Sequence, residues 1–513
     1  MRVQERRIIS RSRFRTRLMG RTQHASLGNA AARGATLLGL SQAVKILTML
    51  ASTVVVVRLL TPTDYGVIAM VAPVASFILI FQSLGLGQAV VQRANLSQDQ
   101  INAVFWFNVA ASAAIAMFFV ALGPLVAWFY DDVRPGYVIA ASGLTVMATG
   151  VTLLQVALLN REMRFGALSI VDMVTALAGL IATIVFAVTT RSYWALMLGP
   201  FVGAIAGSVL AWRMAGWRPS LHIQWSSSRD LLRFGVDVTG FNLLNQLSRN
   251  LDNVLIAKMW GAMQLGLYDR SYRLMMFPLQ TLNQPLSRVI LPALSKVLGE
   301  PERYRRIFLT AVRSLVFVTV PGAIVAAACS QQIIGLLLGE QWLSAAPIFF
   351  WLALAASIQV VSNATGWLFI SSGHTRAMRN WGVLGAIFTI GSVVAGLPWG
   401  ATGVAAAYAA SEWLRIPILY RWSTRGTSVR PVDLYAVLAP SLAAGGIAAG
   451  IIWITQDRAD DLVVFAVGIV TAYGLSTAFH AFSEDGRAML ARFYRIGHDA
   501  LDRYRPRPLI PAE

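Results

Sequence analysis

Polar and charged side chains interrupt the apolar stretches of this chain, and their spacing is helical. Asn242, Asn245, Arg249 and Asp252 recur at i, i+3, i+7 and i+10, on one helical face, with Gln246 and Asn253 beside it. Ser41, Lys45, Thr48 and Ser52 recur at i, i+4, i+7 and i+11, next to Gln42. Arg273, Gln280, Gln284 and Arg288 share a third face, with Asp269 and Arg270 just before it. Glu412 and Arg415 form an i,i+3 pair. Lysine and arginine on such faces suit an anionic group. A carboxylate held inside a membrane, as Asp252 and Glu412 would be, is a natural proton or Na⁺ site. The opposing reading is structural. Arg249 would neutralise Asp252, Arg415 would neutralise Glu412, and the remaining polar groups would hold helices together at about 0.6 kcal/mol each.

These residues lie in stretches built to cross a bilayer. Of 513 residues, 56% are hydrophobic and 13% are charged, about half the charged share of a soluble protein. Mean hydropathy is +0.60. That is too little charge to clothe a soluble globule. A disordered chain and a nucleic-acid binder in solution are excluded as well, despite a net charge of +19. Apolar runs able to span about 30 Å of hydrocarbon lie near 36–57, 66–92, 102–128, 137–159, 167–189, 192–212, 235–257, 264–295, 307–329, 344–370, 378–398, 400–420, 433–455 and 462–482, fourteen in all. The first run is long enough to span and lacks a small-residue cleavage pattern, so no signal peptide is expected.

The basic residues give the orientation. With the N-terminus in the cytoplasm, the loops on that side carry sixteen Lys and Arg, among them Arg161, Arg164, Arg376, Arg379, Arg421 and Arg425, against five on the other side. Both tails are basic and inside, as the positive-inside rule requires. Most arginines are therefore expected to orient and anchor the chain. Seven basic residues fall within spans or at their edges: Lys45, Arg249, Arg270, Arg273, Arg288, Arg313 and Arg415. They outnumber the embedded acids Asp172, Asp237, Asp252, Asp269 and Glu412. A hydrated cavity with such a lining favours an anionic cargo.

A weak internal repeat has an offset of 200: Gly66 aligns with Gly266, Gln42 with Asn242 and Lys45 with Asn245. Spans 1–6 map onto spans 7–12 in the same orientation, one of the recurring transporter plans. The expected organisation is an Arg-rich cytoplasmic tail (1–35), a six-helix bundle (36–214), a cytoplasmic linker (215–234), a second six-helix bundle (235–424), two further spans (425–485) and a basic cytoplasmic tail (486–513). Cys329 is alone, so no disulfide is possible within the chain. The histidines lack metal-ligand spacing, and no nucleotide-binding P-loop motif is present.

Several motifs carry a resemblance. Leu59-Leu60-Thr61-Pro62-Thr63-Asp64-Tyr65-Gly66 resembles the hallmark turn of the Wzx-type polysaccharide flippases. Leu84-Gly85-Leu86-Gly87-Gln88-Ala89-Val90-Val91-Gln92-Arg93 and Leu159-Asn160-Arg161-Glu162-Met163-Arg164-Phe165 resemble two more of that family's segments. Asp252–Pro278 and Gly339-Glu340-Gln341-Trp342 are similar to others. The resemblance covers about residues 35–425. It implies an all-α integral membrane protein of the multidrug/oligosaccharidyl-lipid/polysaccharide exporter superfamily, with two six-helix bundles in a V and, here, two added C-terminal helices. It implies a transporter that carries undecaprenyl-pyrophosphate-linked repeat units from the cytoplasmic to the periplasmic leaflet of a bacterial inner membrane. The cationic cavity of the superfamily carries over onto Lys45, Arg249 and Arg273.

The expected cavity set is Lys45, Gln42, Asn242, Asn245, Arg249, Arg273 and Gln284. Asp252, Glu412 and Arg415 are the expected ion-coupling or salt-bridge residues. No cofactor is expected beyond a coupling H⁺ or Na⁺. The expected partners are a lipid-linked oligosaccharide, membrane lipids, and a polymerase and chain-length regulator of the same pathway. The rival readings are a peptidoglycan-precursor flippase, a drug/cation antiporter and a membrane glycan polymerase. The antiporter calls for an acidic cavity, and the polymerase for a large outward catalytic loop.

Overall fold

A computed structural model gives the fold for residues 37, 39–83, 87, 90–91, 97–220, 250–456 and 460–504. Regular structure among these residues is entirely helical. In chain order the helices are α1 (Gly39–Leu59), α2 (Pro62–Ser83), α3 (Gln98–Tyr130), α4 (Val133–Arg161), α5 (Phe165–Thr190), α6 (Trp194–Ala215) and α7 (Leu251–Lys296). They continue with α8 (Pro301–Ala328), the short α9 (Ser330–Leu337), α10 (Ala346–Ser371), α11 (Thr375–Gly396), α12 (Gly400–Ser423), α13 (Pro431–Thr455), α14 (Asp461–Ala481) and α15 (Glu484–Tyr504).

Ten stretches among the described residues are long and apolar enough to cross a membrane, and one of them, Thr375–Ser423, holds both α11 and α12. The runs expected at 66–92 and 235–257 fall partly outside the described residues. The run expected at 264–295 is helical in α7, but its amides, prolines and Arg288 leave it less apolar than the others. Within α7 the helix breaks at Gly261, whose φ of 76° is left-handed, a conformation that favours glycine. The break falls between the runs expected to end at 257 and to begin at 264.

The chain divides into two compact units. The first comprises residues 1–60 and 70–250. In it α3 lies along α4, α5 along α6, and α4 also packs on α6. The capping box of Ser97 and Gln100 starts α3: the Gln100 amide donates to Ser97 Oγ at 3.2 Å, and the Ser97 amide donates to Gln100 Oε1 at 3.1 Å. Helices α5 and α6 interlock through small residues. Gly199, Gly203 and Gly207, one turn apart on α6, face Thr183, Gly179 and Thr175 on α5, and a Cβ on Gly203 would lie 2.6 Å from the Thr175 carbonyl oxygen. Lipid tails are as apolar as a leucine face, so helices in a membrane gain mainly from such close contact.

The second unit comprises residues 61–69 and 251–513. Its centre is α10, buried along most of its length, with α7, α8 and α12 around it. Helix α11 packs on α12, and α13 and α14 pack on each other and on α8. The first two turns of α2 belong to this unit and cross α7 with backbones in contact. A Cβ on Gly66 would overlap the Ala262 carbonyl, and one on Gly266 would overlap the Pro62 carbonyl. The two glycines aligned by the 200-residue repeat therefore pack at one crossing.

Candidate functional site

In the first unit, Lys45 of α1 meets Asp172 of α5, with Nζ 2.6 Å from Oδ2. Each charge sits about two turns into its helix, at residue 45 of one beginning at 39 and residue 172 of one beginning at 165. The two helices run parallel, with Leu37 beside Gly166 and Lys45 beside Asp172, which brings the two charges to one depth. Both side chains stay nearly half exposed, at 42% and 46%, so the pair is neutralised without being sealed. Asp172 lines a cavity of about 550 Å³ together with Thr149, Thr152, Asn160, Thr175 and Ser208. Gln42 is exposed one turn before Lys45. One turn after Thr48, α1 widens into a π segment at Ser52–Val56.

In the second unit, Asp269 is nearly fully buried and takes two cations. Arg270 approaches it at 2.7 Å and Arg273 at 2.9 Å. The cluster keeps one net positive charge. Arg270 is spent on packing, because its guanidinium also lies 4.3 Å from the centre of the Tyr65 ring. Arg273 keeps 56% of its side chain exposed. Further along α7, Arg288 is exposed and has no acidic partner among the described residues.

The embedded carboxylates of this unit sit among tyrosines. Asp252 accepts a hydrogen bond from Tyr268 Oη at 3.1 Å and one from the Asn253 amide at 2.9 Å. Glu412, with no exposed surface, is ion-paired with Arg415. Gln359 of α10 donates to Tyr408 and, at 3.3 Å, to Glu412 Oε1. Glu412 Oε2 and Gln359 Oε1 are buried acceptors that lack a hydrogen-bond partner among the described residues. Unsatisfied acceptors at this depth are costly.

The expected site residues thus fall into three groups. Lys45, Arg273, Glu412 and Arg415 are each held by a neighbour of opposite charge. Gln42 is exposed, and Asp252 is held by Tyr268. Asn242, Asn245 and Arg249, together with the Gln284 side chain, lie outside the described residues. Sequence reading did not find Tyr65, Tyr268, Gln359 or Tyr408 as partners. A tyrosine in an apolar helix carries no charge signal, and its role appears only from what its hydroxyl or ring touches.

The motif residues have structural tasks. Asp64 accepts from the Thr61 amide at 2.9 Å and from the Thr61 hydroxyl at 2.6 Å, which caps the start of α2. Tyr65 meets Trp342 edge to face at 5.5 Å. Arg161 donates to the Val90 carbonyl at 2.7 Å, and Arg164 to the Met214 carbonyl at 2.8 Å. The Met214 carbonyl lies at the end of α6, where a cation is favoured.

Residues 55–347 match a family described as polysaccharide biosynthesis protein. The chain belongs to that family. It is accordingly a multi-pass membrane transport protein and not an enzyme. It is 23% identical over 350 residues to the lipopolysaccharide biosynthesis protein WzxC of Escherichia coli (strain K12), covering 67% of this chain and 70% of that protein. It is 24% identical over 309 residues to the teichuronic acid biosynthesis protein TuaB of Bacillus subtilis (strain 168), covering 60% of this chain and 64% of TuaB. The chain thus spans just under two thirds of the length of TuaB. The lipid II flippase MurJ, in an inward closed conformation, shares the fold with a TM-score of 0.67 at 12% identity, over 87% of this chain and 98% of MurJ.

Proposed function

We propose that this chain is a flippase. It moves undecaprenyl-pyrophosphate-linked oligosaccharide repeat units from the cytoplasmic to the periplasmic leaflet of a bacterial inner membrane, by alternating access, for exopolysaccharide, capsule or O-antigen synthesis. Membership of the polysaccharide biosynthesis family supports the pathway, and the membrane fold shared with MurJ supports the mechanism. The diphosphate and sugars cannot cross hydrocarbon unaided, because burying unpaired charge and hydroxyls is prohibitive. The polyprenyl tail can stay in lipid. The protein therefore needs a wet, cationic route for the head alone.

The observation that carries this reading at residue level is the unspent charge on α7. Asp269 is shared by two arginines, and the half-exposed Arg273 is the one left able to bind a second anion. The arrangement also makes a clean test. In Arg273→Ala, Asp269 keeps Arg270, so the protein should accumulate near the wild-type level. Polymer export should fall at least about tenfold, the scale of one lost charge-assisted contact, and finished lipid-linked repeat units should collect in the cytoplasmic leaflet. Full export by this variant would remove Arg273 from the transport route. Repeat units accumulating unjoined on the outer face would instead favour a polymerase.

A second proposal concerns the driving force. We propose that Glu412 or Asp252 takes up H⁺ or Na⁺ during cycling, as embedded carboxylates can, and the unpartnered Oε2 of the fully buried Glu412 favours it. Reconstituted transport should slow several-fold when the coupling gradient is collapsed. Transport indifferent to both gradients would rule coupling out.

A further inference from the structure

Helices α11 and α12 form an antiparallel hairpin whose register is fixed by close contacts. Near the turn Gly396 meets Gly403 backbone to backbone. Farther on, a Cβ on Gly385 would lie 4.0 Å from the Arg415 guanidinium, the rings of Trp381 and Trp422 stand 6.2 Å apart, and Gly426 lies against the His374 ring. The open end of the hairpin therefore gathers His374, Arg376 and Arg379 from one arm with Arg421 and Arg425 from the other.

Among the described residues no carboxylate pairs with Arg421 or Arg425. The sequence has no Asp or Glu from 375 to 396 or from 413 to 432. The flanking acids are committed elsewhere: Glu412 is paired with Arg415, and Asp433 is held by Arg305 at 2.7 and 2.9 Å. Arg421 and Arg425 make no side-chain hydrogen bond or ion pair among the described residues. A cavity of about 330 Å³ opens beside them, lined among the described residues by Pro417, Ile418, Arg421, Trp422 and Arg425.

The wall of this cavity has two sides. Pro417 and Arg421 lie at i and i+4 on α12, with Arg425 just past its end, and Ile418 and Trp422 line the cavity from the adjoining stripe, which Leu414 continues away from it. Leu414 and Ile418 are exposed, at 70% and 42%. An apolar track along α12 thus ends beside two guanidinium groups that have no counter-charge among the described residues. Arginines that only orient a helix need neither the track nor the cavity. A soluble anion would use the arginines alone, whereas a lipid would use both, with its phosphate on the guanidiniums and its chain along Leu414 and Ile418.

We propose that the open end of the α11/α12 hairpin is a binding site for the phosphate headgroup of a lipid. The headgroup chemistry is shared by a resident anionic phospholipid and by a polyprenyl diphosphate. The site stands apart from the transport reading above: it needs no oligosaccharide to move, and its failure would leave the Arg273 test untouched.

The full-length protein in phosphatidylcholine nanodiscs is titrated with two probes, fluorescent phosphatidylglycerol and fluorescent undecaprenyl diphosphate. Arg421→Gln/Arg425→Gln should weaken binding of at least one probe about 25-fold, fivefold for each surface cation removed. A selective loss of diphosphate binding assigns the site to the polyprenyl lipid, and an equal loss assigns it to anionic lipids in general. Unchanged affinity for both probes overturns the proposal. A second measurement needs no variant. Phenylglyoxal modification of Arg421 and Arg425 in the wild-type protein, followed by mass spectrometry, should be slowed several-fold by a bound probe, and absence of protection from either probe also overturns the site.

Discussion

At the residue scale, Lys45 and Asp172 show how a charge in a membrane is tolerated. An unpaired charge at the centre of a spanning helix costs about 2.5–3.5 kcal/mol on insertion scales. The contact at 2.6 Å offsets part of that cost for both partners. Removing either charge strands the other, so Lys45→Gln and Asp172→Asn should each lower the amount of folded protein. The double variant should recover abundance and thermal stability to near wild type, with a coupling of about 1–3 kcal/mol. Its polymer export should remain below one tenth, because restoring neutrality does not restore a cation for the substrate. Full export by the double variant would reduce the pair to a structural device. Both charges are visible in the sequence as embedded residues, but their pairing across 127 positions is not. It depends on which helices become neighbours. Glu412 with Arg415, and Asp269 with Arg273, are legible because one helix sets their distance. Asp252 is the intermediate case: the sequence offers Arg249 one turn away, and the fold supplies Tyr268 through the bend at Gly261.

At the element scale, the apolar runs and their breaks give the helices among the described residues to within a few residues, because the bilayer leaves the backbone few alternatives. The reasons for the motifs are less legible. The Thr61–Gly66 segment reads as a turn, yet each residue type in it answers to a partner elsewhere. Asp64 closes the cap, Tyr65 sits between Trp342 and Arg270, and Gly66 permits the crossing with α7. The repeat aligns Gly66 with Gly266, but alignment alone does not say that they touch. The crossing makes a prediction. Gly266→Val places side-chain atoms where the Pro62 carbonyl lies, so it should cost about 1–3 kcal/mol or more through overpacking and lower the melting temperature in detergent. Gly391→Ala is the matched control, since no neighbour lies within 4 Å of its added Cβ; it should melt at or slightly above the wild-type temperature. Equal melting of the Gly266 variant and the control would mean that the crossing relaxes freely.

At the scale of the whole molecule, chain order and structural membership disagree at one place. A cut in the segment 215–234 separates two sets of spans in sequence, but residues 61–69 belong to the second unit. That unit therefore lacks part of its own packing if made from the later sequence alone. It would lose the ring of Tyr65 against Trp342, the face under Arg270, and the backbone contact at Gly266. A fragment of residues 221–513 should accumulate poorly and be cleared by membrane proteases, since the lost packing takes a large share of the marginal stability of a domain. Co-expression of residues 1–220 should restore the fragment several-fold. The first fragment carrying Tyr65→Ala and Gly66→Leu should fail to restore it, although neither change alters a charge or a span. The levels of the epitope-tagged second fragment read the result directly. Equal levels with the wild-type and the altered first fragment would mean that the second unit completes itself without the opening turns of α2.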